Sequence, residues 1–158
     1  AASDVYKRQL RSLRDVGGGE PSLVSATAVE RSGSGGVDEQ LEATIRYPSG
    51  LTARFEASFV VSEMDFTMRI TGTSGEAFAH NFCVASFDDR ITVTVDGVQR
   101  VEEMGTKTSY TYQLEAFADY LRNGTPIFSD ADDAVVQAEF IDACYTAAGL
   151  PLRPTTHL

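Results

Sequence analysis

The sequence predicts an α+β fold, in which a mostly antiparallel, open β-sheet carries helices packed on one face. Short segments in which apolar and polar residues alternate extend from residue 23 to residue 104, and this is the pattern of strands with one buried face. After residue 108 the apolar residues recur every three to four positions instead, as in amphipathic helices. Strands followed by helices, rather than alternating with them, are typical of the α+β class.

Turn residues divide the alternating part of the chain into six or seven strands. The predicted strands cover residues 23–31, 41–47, 51–59, 66–71, 76–81, 90–96 and 98–104. Pro48-Ser49-Gly50 predicts a tight turn between the second and third strands, and Asp96-Gly97 predicts a hairpin between the last two. Strands that are neighbours in the sequence should therefore pair in antiparallel fashion.

Two amphipathic helices follow the strands. The first has Ser109 as its predicted N-cap and ends at Asn123-Gly124, and its apolar face carries Tyr110, Leu114, Phe117 and Leu121. The second is capped by Asp130 and ends at Gly149, and its predicted buried stripe consists of Ala134, Ala138, Ile141, Tyr145 and Ala148. The small residues of that stripe indicate close packing against a sheet.

The chain before the strands is interpreted in two parts. Leu10, Leu13 and Val16 recur at helical spacing and predict a helix that ends at Gly17-Gly18-Gly19. Residues 1–9 do not continue that pattern and are interpreted as a non-native or disordered leader. The predicted domain covers residues 10–153, and residues 154–158 form a tail.

The second face of the predicted sheet is polar. It carries threonines and charges of both signs, namely Thr44, Arg46, Thr52, Arg54, Glu56, Thr67, Arg69, Thr92 and Thr94. Such a face is either solvated or forms a sheet-to-sheet contact between subunits, because β-branched polar residues and opposite charges can pair across a flat interface.

Composition excludes several classes of partner. The 158 residues carry a net charge of −10, which opposes binding to nucleic acid or to an anionic membrane surface. No apolar run approaches the ~20 residues of a membrane-spanning helix. The two cysteines do not make a disulfide framework, and Cys144 lies beside the apolar stripe of the last helix, as a small core residue would. These features indicate a cytoplasmic protein with reduced thiols.

Residue chemistry alone assigns no active site. Gly17-Gly18-Gly19 does not follow a strand and lacks the spaced glycines of a dinucleotide-binding loop. Helix capping explains the acidic residues 130–133, which lack the glycine and glutamate positions of a calcium loop, so no metal site is predicted. His80 is either a solvated loop residue or an acid–base group, because imidazole can gain or lose a proton near neutral pH.

Several segments, in the right order, resemble one family. They are Leu10-Arg11-Ser12-Leu13 with Glu20-Pro21, the hairpin from Ile45 to Ala53, the segment from Ile70 to Gly75, and the closing helices with Tyr110 to Phe117 and Ile141 to Gly149. The resemblance extends over roughly residues 10–153. They resemble the C-terminal domain of the Gfo/Idh/MocA oxidoreductases, and within that family the dihydrodiol dehydrogenase-like branch.

The resemblance implies a two-domain NAD(P)-dependent oxidoreductase. In that family a Rossmann domain comes first and binds NAD or NADP, and hydride passes between the nicotinamide and a sugar, polyol or diol-type alcohol. The C-terminal domain is a mostly antiparallel sheet with helices on one face, and its open face commonly forms the dimer contact. For this chain the resemblance implies a small-molecule substrate and a homo-oligomer formed through the polar face.

Departures from the family pattern predict that the chain is a fragment. The Rossmann domain and the Glu-Lys-Pro segment are missing from the 158 residues, and Asp4-Val5-Tyr6-Lys7-Arg8-Gln9 stands where an Asp-x-x-x-His or Asp-x-x-x-Tyr motif is expected. No catalytic residue is therefore carried over, and the chain by itself is expected to be inactive and to bind no cofactor. Polar groups near strand ends or at a helix start are its substrate-side candidates: His80, Asn81, Arg90 and Tyr112. The alternative is a stand-alone α+β module that binds a small ligand or a partner without redox chemistry.

Overall fold

The computed structural model describes residues 3–33 and 36–152, and in these ranges it contains three helices and seven strands. In chain order they are α1 (Ser3–Gly17), β1 (Ser22–Glu30), β2 (Asp38–Arg46), β3 (Thr52–Ser58), β4 (Met68–Gly72), β5 (Gly75–Ala79), β6 (Arg90–Val95), β7 (Val98–Glu103), α2 (Ser109–Asn123) and α3 (Ala131–Ala147). The α+β class and the order of strands before helices are therefore confirmed. The predicted tail at 154–158 and the first two residues of the predicted leader lie outside the described residues.

Helix α1 begins at Ser3, ahead of the predicted start at Leu10. The interpretation of residues 1–9 as a leader stays a prediction. At the other end the helix stops where the glycines were expected to stop it. Gly17 lies so close to the ring of Tyr47 that a Cβ at this position would fall 2.1 Å from the ring atom Cε1. A glycine is therefore required here by packing as well as by the end of the helix.

All strand pairs are antiparallel, and the strands form two sheets rather than one continuous sheet, with the orders β1-β2-β3 and β4-β5-β6-β7. The chain correspondingly divides into two compact units. The first unit comprises the described residues up to Ser62 and from Ser129 onward, and the second unit is Glu63–Phe128. Each predicted hairpin is present. In the β6–β7 hairpin, Asp96 and Gly97 both have positive φ, at 50° and 79°, as an Asp-Gly turn of this kind requires.

The first unit contains a packed apolar core. Alternate residues of β2, Leu41, Ala43 and Ile45, are almost completely buried, which is the period-2 pattern expected for one inner face. Leu10 of α1 and Cys144 of α3 meet this face, so both helices lie on the same side of the three-stranded sheet. Burial raises the pKa of the Cys144 thiol to about 11, in keeping with the predicted role of this cysteine as a core residue.

The buried face of α3 differs from the predicted one. Ala134 and Ala138 are exposed, whereas Gln137, Cys144 and Tyr145 are buried. The prediction was therefore wrong for the N-terminal half of α3, where a different side of the helix faces inward. The reason is electrostatic, because Asp133 in the first turn accepts hydrogen bonds from two arginines of α1 and so turns that side of α3 inward. An apolar periodicity could not reveal a polar anchor of this kind.

The outer face of the first sheet is polar, as predicted. Register places Thr44 opposite Arg54 and Arg46 opposite Thr52 on this face. Arg54 donates two hydrogen bonds to the carboxylate of Glu42, both 2.6 Å long. This hydrogen bonding lowers the pKa of Glu42. Arg54 and Glu42 are therefore paired with each other across neighbouring strands of this face.

The second unit is a four-stranded sheet followed by α2, and it has no buried residue. Each of the residues 63–128, all of which the structure describes, is at least partly exposed to solvent. Helix α2 is nevertheless well capped: the side chain of Thr108 accepts a hydrogen bond from the Thr111 N–H, and Gly124 adopts the left-handed conformation after its last turn. The N-cap is therefore Thr108, one residue before the predicted Ser109.

Candidate functional site

Three of the four substrate-side candidates lie together at the end of β5 and the start of β6. His80 follows β5 directly, and its backbone N–H donates to the carbonyl oxygen of Arg90 at 3.1 Å. Asn81 is the next residue. The β5–β6 ladder thus continues one step beyond Ala79, and it holds the candidate residues at one end of the second sheet.

The imidazole of His80 lies against polar and aromatic partners. Its Nε2 is 2.9 Å from the hydroxyl of Thr92, and which atom donates depends on the tautomer. Its ring meets the ring of Phe78 edge-on, with centroids 4.9 Å apart and planes at 75°. His80 is half-buried, so the imidazole is oriented by these contacts and still reaches solvent.

Arg90 is held by a carboxylate beside it. Its Nε and Nη2 donate to the two carboxylate oxygens of Asp88, at 2.8 and 2.6 Å. This hydrogen bonding lowers the pKa of Asp88 to about 2. Because the pair is bidentate, the charge of Arg90 is already balanced, and its planar guanidinium is fixed in one orientation.

Asn81 and Tyr112 have local structural roles. The side-chain oxygen of Asn81 accepts a hydrogen bond from the Val84 N–H at 2.8 Å, which orders the loop after β5. Tyr112 lies on α2, and the ammonium of Lys107 is 4.4 Å from the centre of its ring. The structure therefore brings His80, Asn81 and Arg90 together but gives Tyr112 a separate environment.

The candidate list omitted a row of residues next to His80. The guanidinium of Arg69 lies 4.6 Å above the ring of Phe78 and pairs with Glu76 at 2.5 Å. We call Arg69, Glu76, Phe78, His80 and Thr92 the His80 cluster. The signal for it was present in the sequence, since Glu76, Phe78 and His80 occur at every second position and must share one face of a strand. What the sequence lacked was the register that places Arg69 and Thr92 beside Phe78.

Two further kinds of site are absent from the part of the chain that the structure describes. Within residues 3–33 and 36–152, no three His, Cys, Asp or Glu side chains are grouped so that they could hold a metal ion. In the same part of the chain, no helix combines the length and the apolar character that crossing a bilayer requires.

Comparison with known proteins identifies the family. Residues 9–78 match the family model of the GFO/IDH/MocA C-terminal domain. Residues 9–78 are therefore recognised as part of a Gfo/Idh/MocA C-terminal domain. It is also similar to D-xylose 1-dehydrogenase (NADP(+)) 2 of Haloferax volcanii, with 31% identity over 135 residues. That match covers 82% of this chain and 40% of the dehydrogenase.

Solved structures show the same fold. The aldose-aldose oxidoreductase of Caulobacter crescentus, complexed with glycerol, aligns with a TM-score of 0.79 at 21% identity, over 91% of this chain and 44% of that one. UDP-N-acetylglucosamine 3-dehydrogenase GnnA of Acidithiobacillus ferrooxidans aligns with a TM-score of 0.77 at 19% identity, over 91% and 46%. KijD10, a 3-ketoreductase of Actinomadura kijaniata solved with NADP, aligns with a TM-score of 0.73 at 16% identity, over 90% and 45%.

The chain thus spans less than half the length of these relatives, which are sugar dehydrogenases and other oxidoreductases. The recognition of a Gfo/Idh/MocA C-terminal domain is confirmed, and so is its α+β architecture. The assignment to the dihydrodiol dehydrogenase-like branch stays a prediction, as do the cytoplasmic location and the roles of the substrate-side candidates.

Proposed function

We propose that this chain is the substrate-side and oligomerisation domain of an NAD(P)-dependent oxidoreductase that acts on CH–OH groups of sugars or polyols. The observation that carries the proposal is the 31% identity over 135 residues with a D-xylose dehydrogenase that uses NADP(+). Two of the structural relatives, an aldose-aldose oxidoreductase and a UDP-N-acetylglucosamine dehydrogenase, also have sugar substrates in their names. These names support a sugar or polyol as the substrate class.

The cofactor would bind to a part of the parent protein that these 158 residues do not include. The chain has no Gly-x-Gly-x-x-Gly loop between a strand and a helix, which is the usual pyrophosphate site of a nicotinamide cofactor. More than half of each relative lies outside its match to this chain, which leaves room for a Rossmann domain. NADP is the expected cofactor, because both the xylose dehydrogenase and the KijD10 structure carry its name.

The His80 cluster supports the assignment to the substrate side. Sugar hydroxyls are recognised by polar groups that can both donate and accept hydrogen bonds, and His80 with Thr92 supplies two such groups at one end of the second sheet. The paired charges on the polar outer face of the first sheet, Arg54 with Glu42, support an oligomer contact. Two copies related by a twofold axis can exchange such pairs without leaving a charge unpartnered.

Two assays test the proposal. Titration of the 158-residue chain with NADPH and NADH should leave nicotinamide fluorescence unchanged, whereas the parent protein should bind NADPH and reduce NADP⁺ in the presence of D-xylose or another aldose or polyol. Saturable binding by the isolated chain would reveal a nucleotide site within it and overturn the division of roles. A parent protein that turns over no sugar or polyol would overturn the substrate class.

Substitution of His80 tests the candidate residue. In the parent protein, His80→Gln should raise KM for the sugar about tenfold, the effect of losing roughly 1.4 kcal/mol of binding, and should leave NADPH affinity unchanged. Arg100→Gln is the matched control, because register places Arg100 opposite Val93 and therefore on the other face of the second sheet. Equal KM values for His80→Gln and the wild type would remove His80 from the substrate side.

A further inference from the structure

Strand β7 leaves one edge of the second sheet unpaired. The order β4-β5-β6-β7 places it at the end of that sheet, where β6 is its one partner within the described part of the chain. Val98 is 72% exposed and Val101 is 57% exposed. An open edge accepts a further strand unless charges, a proline or a bulge prevent the pairing. The strand contains no proline and its register with β6 is regular, so the charges of β7 decide what can pair with it.

The register with β6 determines which backbone groups of β7 point to the open edge. Val95 lies opposite Val98 across the two-residue turn, and in such a hairpin this closing pair is hydrogen-bonded. Hydrogen-bonded pairs alternate along an antiparallel ladder, so residues 98, 100 and 102 bond to β6. The N–H and C=O groups of residues 99, 101 and 103 therefore face outward, where a further strand can bond to them.

The side chains of β7 are complementary to those of a second, antiparallel β7. When the twofold axis passes through Val101, Arg100 of one copy lies opposite Glu102 of the other, and the symmetry generates the same pair again. These two positions form non-hydrogen-bonded pairs, in which the side chains of neighbouring strands are closest. Position 99 of one copy then faces position 103 of the other, so every outward backbone group of the strand finds a partner.

The same charges oppose the neighbouring registers. Moving the axis by one residue places Arg100 opposite Arg100 or Glu102 opposite Glu102, and like charges in directly opposite positions are destabilising. Within one copy, Nε of Arg100 is 2.7 Å from Oε1 of Glu102, so both charges are paired before any association. The charges of β7 therefore discourage unspecific edge pairing and favour one symmetric register.

We propose that β7 pairs with β7 of a second copy of this chain, so that two four-stranded sheets join into one continuous sheet. This contact lies at the edge of the second sheet and is separate from the oligomer contact proposed for the polar face of the first sheet. It does not depend on the redox activity of the parent protein. Two strands of six residues are ~20 Å long and bury less than the ~800 Å² per partner of a stable complex, so the association should be weak and concentration-dependent.

Exchange of the two charges tests the contact in the 158-residue chain. Sedimentation equilibrium should show a self-association of the wild type that Arg100→Glu weakens at least tenfold, because both ion pairs become pairs of like charge. The double variant Arg100→Glu/Glu102→Arg should restore the association constant to within threefold. Arg122→Glu on α2 changes the net charge equally and should have no effect.

Three results of this experiment would overturn the proposal. The first is a wild-type chain that stays monomeric at its highest soluble concentration. The second is an association that Arg100→Glu leaves unchanged, which would then arise from a different surface, such as the polar face of the first sheet. The third is a double variant that associates no more strongly than Arg100→Glu, because the charges would then not pair across the axis.

Thiol cross-linking tests the register without altering the charges of β7. In a Cys83→Ser background only the buried Cys144 remains. Val101→Cys should then be cross-linked to a second copy by a short bifunctional maleimide, because the two residues at the axis are ~5.5 Å apart. Gln99→Cys shares the face of Val101, but its two copies would be ~14 Å apart, so it should be cross-linked at least tenfold more slowly. Equal rates at positions 99 and 101, whether fast or slow, would overturn the twofold pairing.

Discussion

Two tyrosines of the first unit, Tyr145 and Tyr47, have buried hydroxyl groups, of which one is hydrogen-bonded and the other is not. The hydroxyl of Tyr145 donates to Oδ1 of Asp38, and both residues are almost completely buried, with Asp38 only 2% exposed. The hydroxyl of Tyr47 is also buried but has no hydrogen-bond partner among the described residues. Burial raises the pKa of Tyr47 to about 12, which keeps the phenol neutral. The same substitution at the two sites should therefore have different consequences.

Tyr145→Phe should destabilise the protein by about 1–3 kcal/mol, because it removes a donor from a buried carboxylate. Tyr47→Phe should be neutral or slightly stabilising, since it removes a buried hydroxyl that is already unsatisfied. Urea unfolding followed by circular dichroism measures both free energies. Tyr120→Phe is the control, because Tyr120 is 49% exposed and should show no change. Equal losses for Tyr145→Phe and Tyr47→Phe would contradict the difference in hydrogen bonding.

The Asp88–Arg90 pair gives a pH-dependent prediction. The pKa of Asp88 in the folded protein is lowered to about 2, whereas an unperturbed Asp has a pKa of ~3.9. The pair therefore contributes to stability above pH ~4 and loses its contribution as the pH falls from ~4 towards 2. Arg90→Gln should return the pKa of Asp88 towards its usual range, as measured by NMR titration of the carboxyl carbon. Arg100→Gln, which affects the separate Arg100–Glu102 pair, should leave that pKa unchanged.

At the scale of elements, helices α1 and α3 are joined by hydrogen bonds from two arginines of α1 to the carboxylate of Asp133 in α3. Arg11 and Arg14 both donate to Oδ1 of Asp133, at 2.6 and 2.7 Å, and the side chain of Asp133 is only 13% exposed. Burial alone would lower the pKa of Arg14, but its contacts with Glu20 and Asp133 outweigh this effect and raise it. These two hydrogen bonds join residues more than 100 positions apart in the sequence, and they fix which side of α3 faces inward.

Asp133→Asn should destabilise the first unit by about 2 kcal/mol, because a largely buried acceptor of two charged donors loses its charge. The loss should depend little on salt, since the pair is shielded from solvent. Glu42→Gln is the control: it also removes a carboxylate paired with an arginine, but the pair with Arg54 is exposed and should contribute little. Thermal unfolding at low and high salt measures both variants. If Asp133→Asn lowered the stability no more than Glu42→Gln does, and if the loss depended on salt, the hydrogen bonds of Asp133 with Arg11 and Arg14 would be an ordinary surface ion pair.

Local patterns predicted the elements well, and they failed where a contact joins distant parts of the chain. Period-2 alternation gave all seven strands within a few residues, and Asp-Gly and Pro-x-Gly gave the hairpin turns. The phase of α3 was missed because it depends on Arg11 and Arg14. The His80 cluster was found only in part, since the position of Arg69 over Phe78 depends on strand register. Amphipathicity gave the apolar face of α2 but not its exposure in the structure.

At the scale of the whole molecule, burial is concentrated in one of the two units. Every residue of the buried core lies in the first unit, from Leu10 to Tyr145, and no residue of the second unit is buried. Antiparallel ladders hold both sheets together, but the free energy that resists opening comes mainly from buried apolar area. The second unit as it stands in this chain therefore depends on hydrogen bonds that water can replace.

Hydrogen exchange of the 158-residue chain should show this difference directly. Amides of β2, the central strand of the first sheet, should exchange at least tenfold more slowly than those of β5 and β6, the central strands of the second, after correction for intrinsic rates. Because β5 and β6 are paired on both sides, as β2 is, the comparison isolates side-chain burial from backbone hydrogen bonding. Measurement at two protein concentrations controls for self-association through the open sheet faces. If β5 and β6 were as protected as β2 at the lower concentration, side-chain burial would not be the source of the difference in stability between the two sheets.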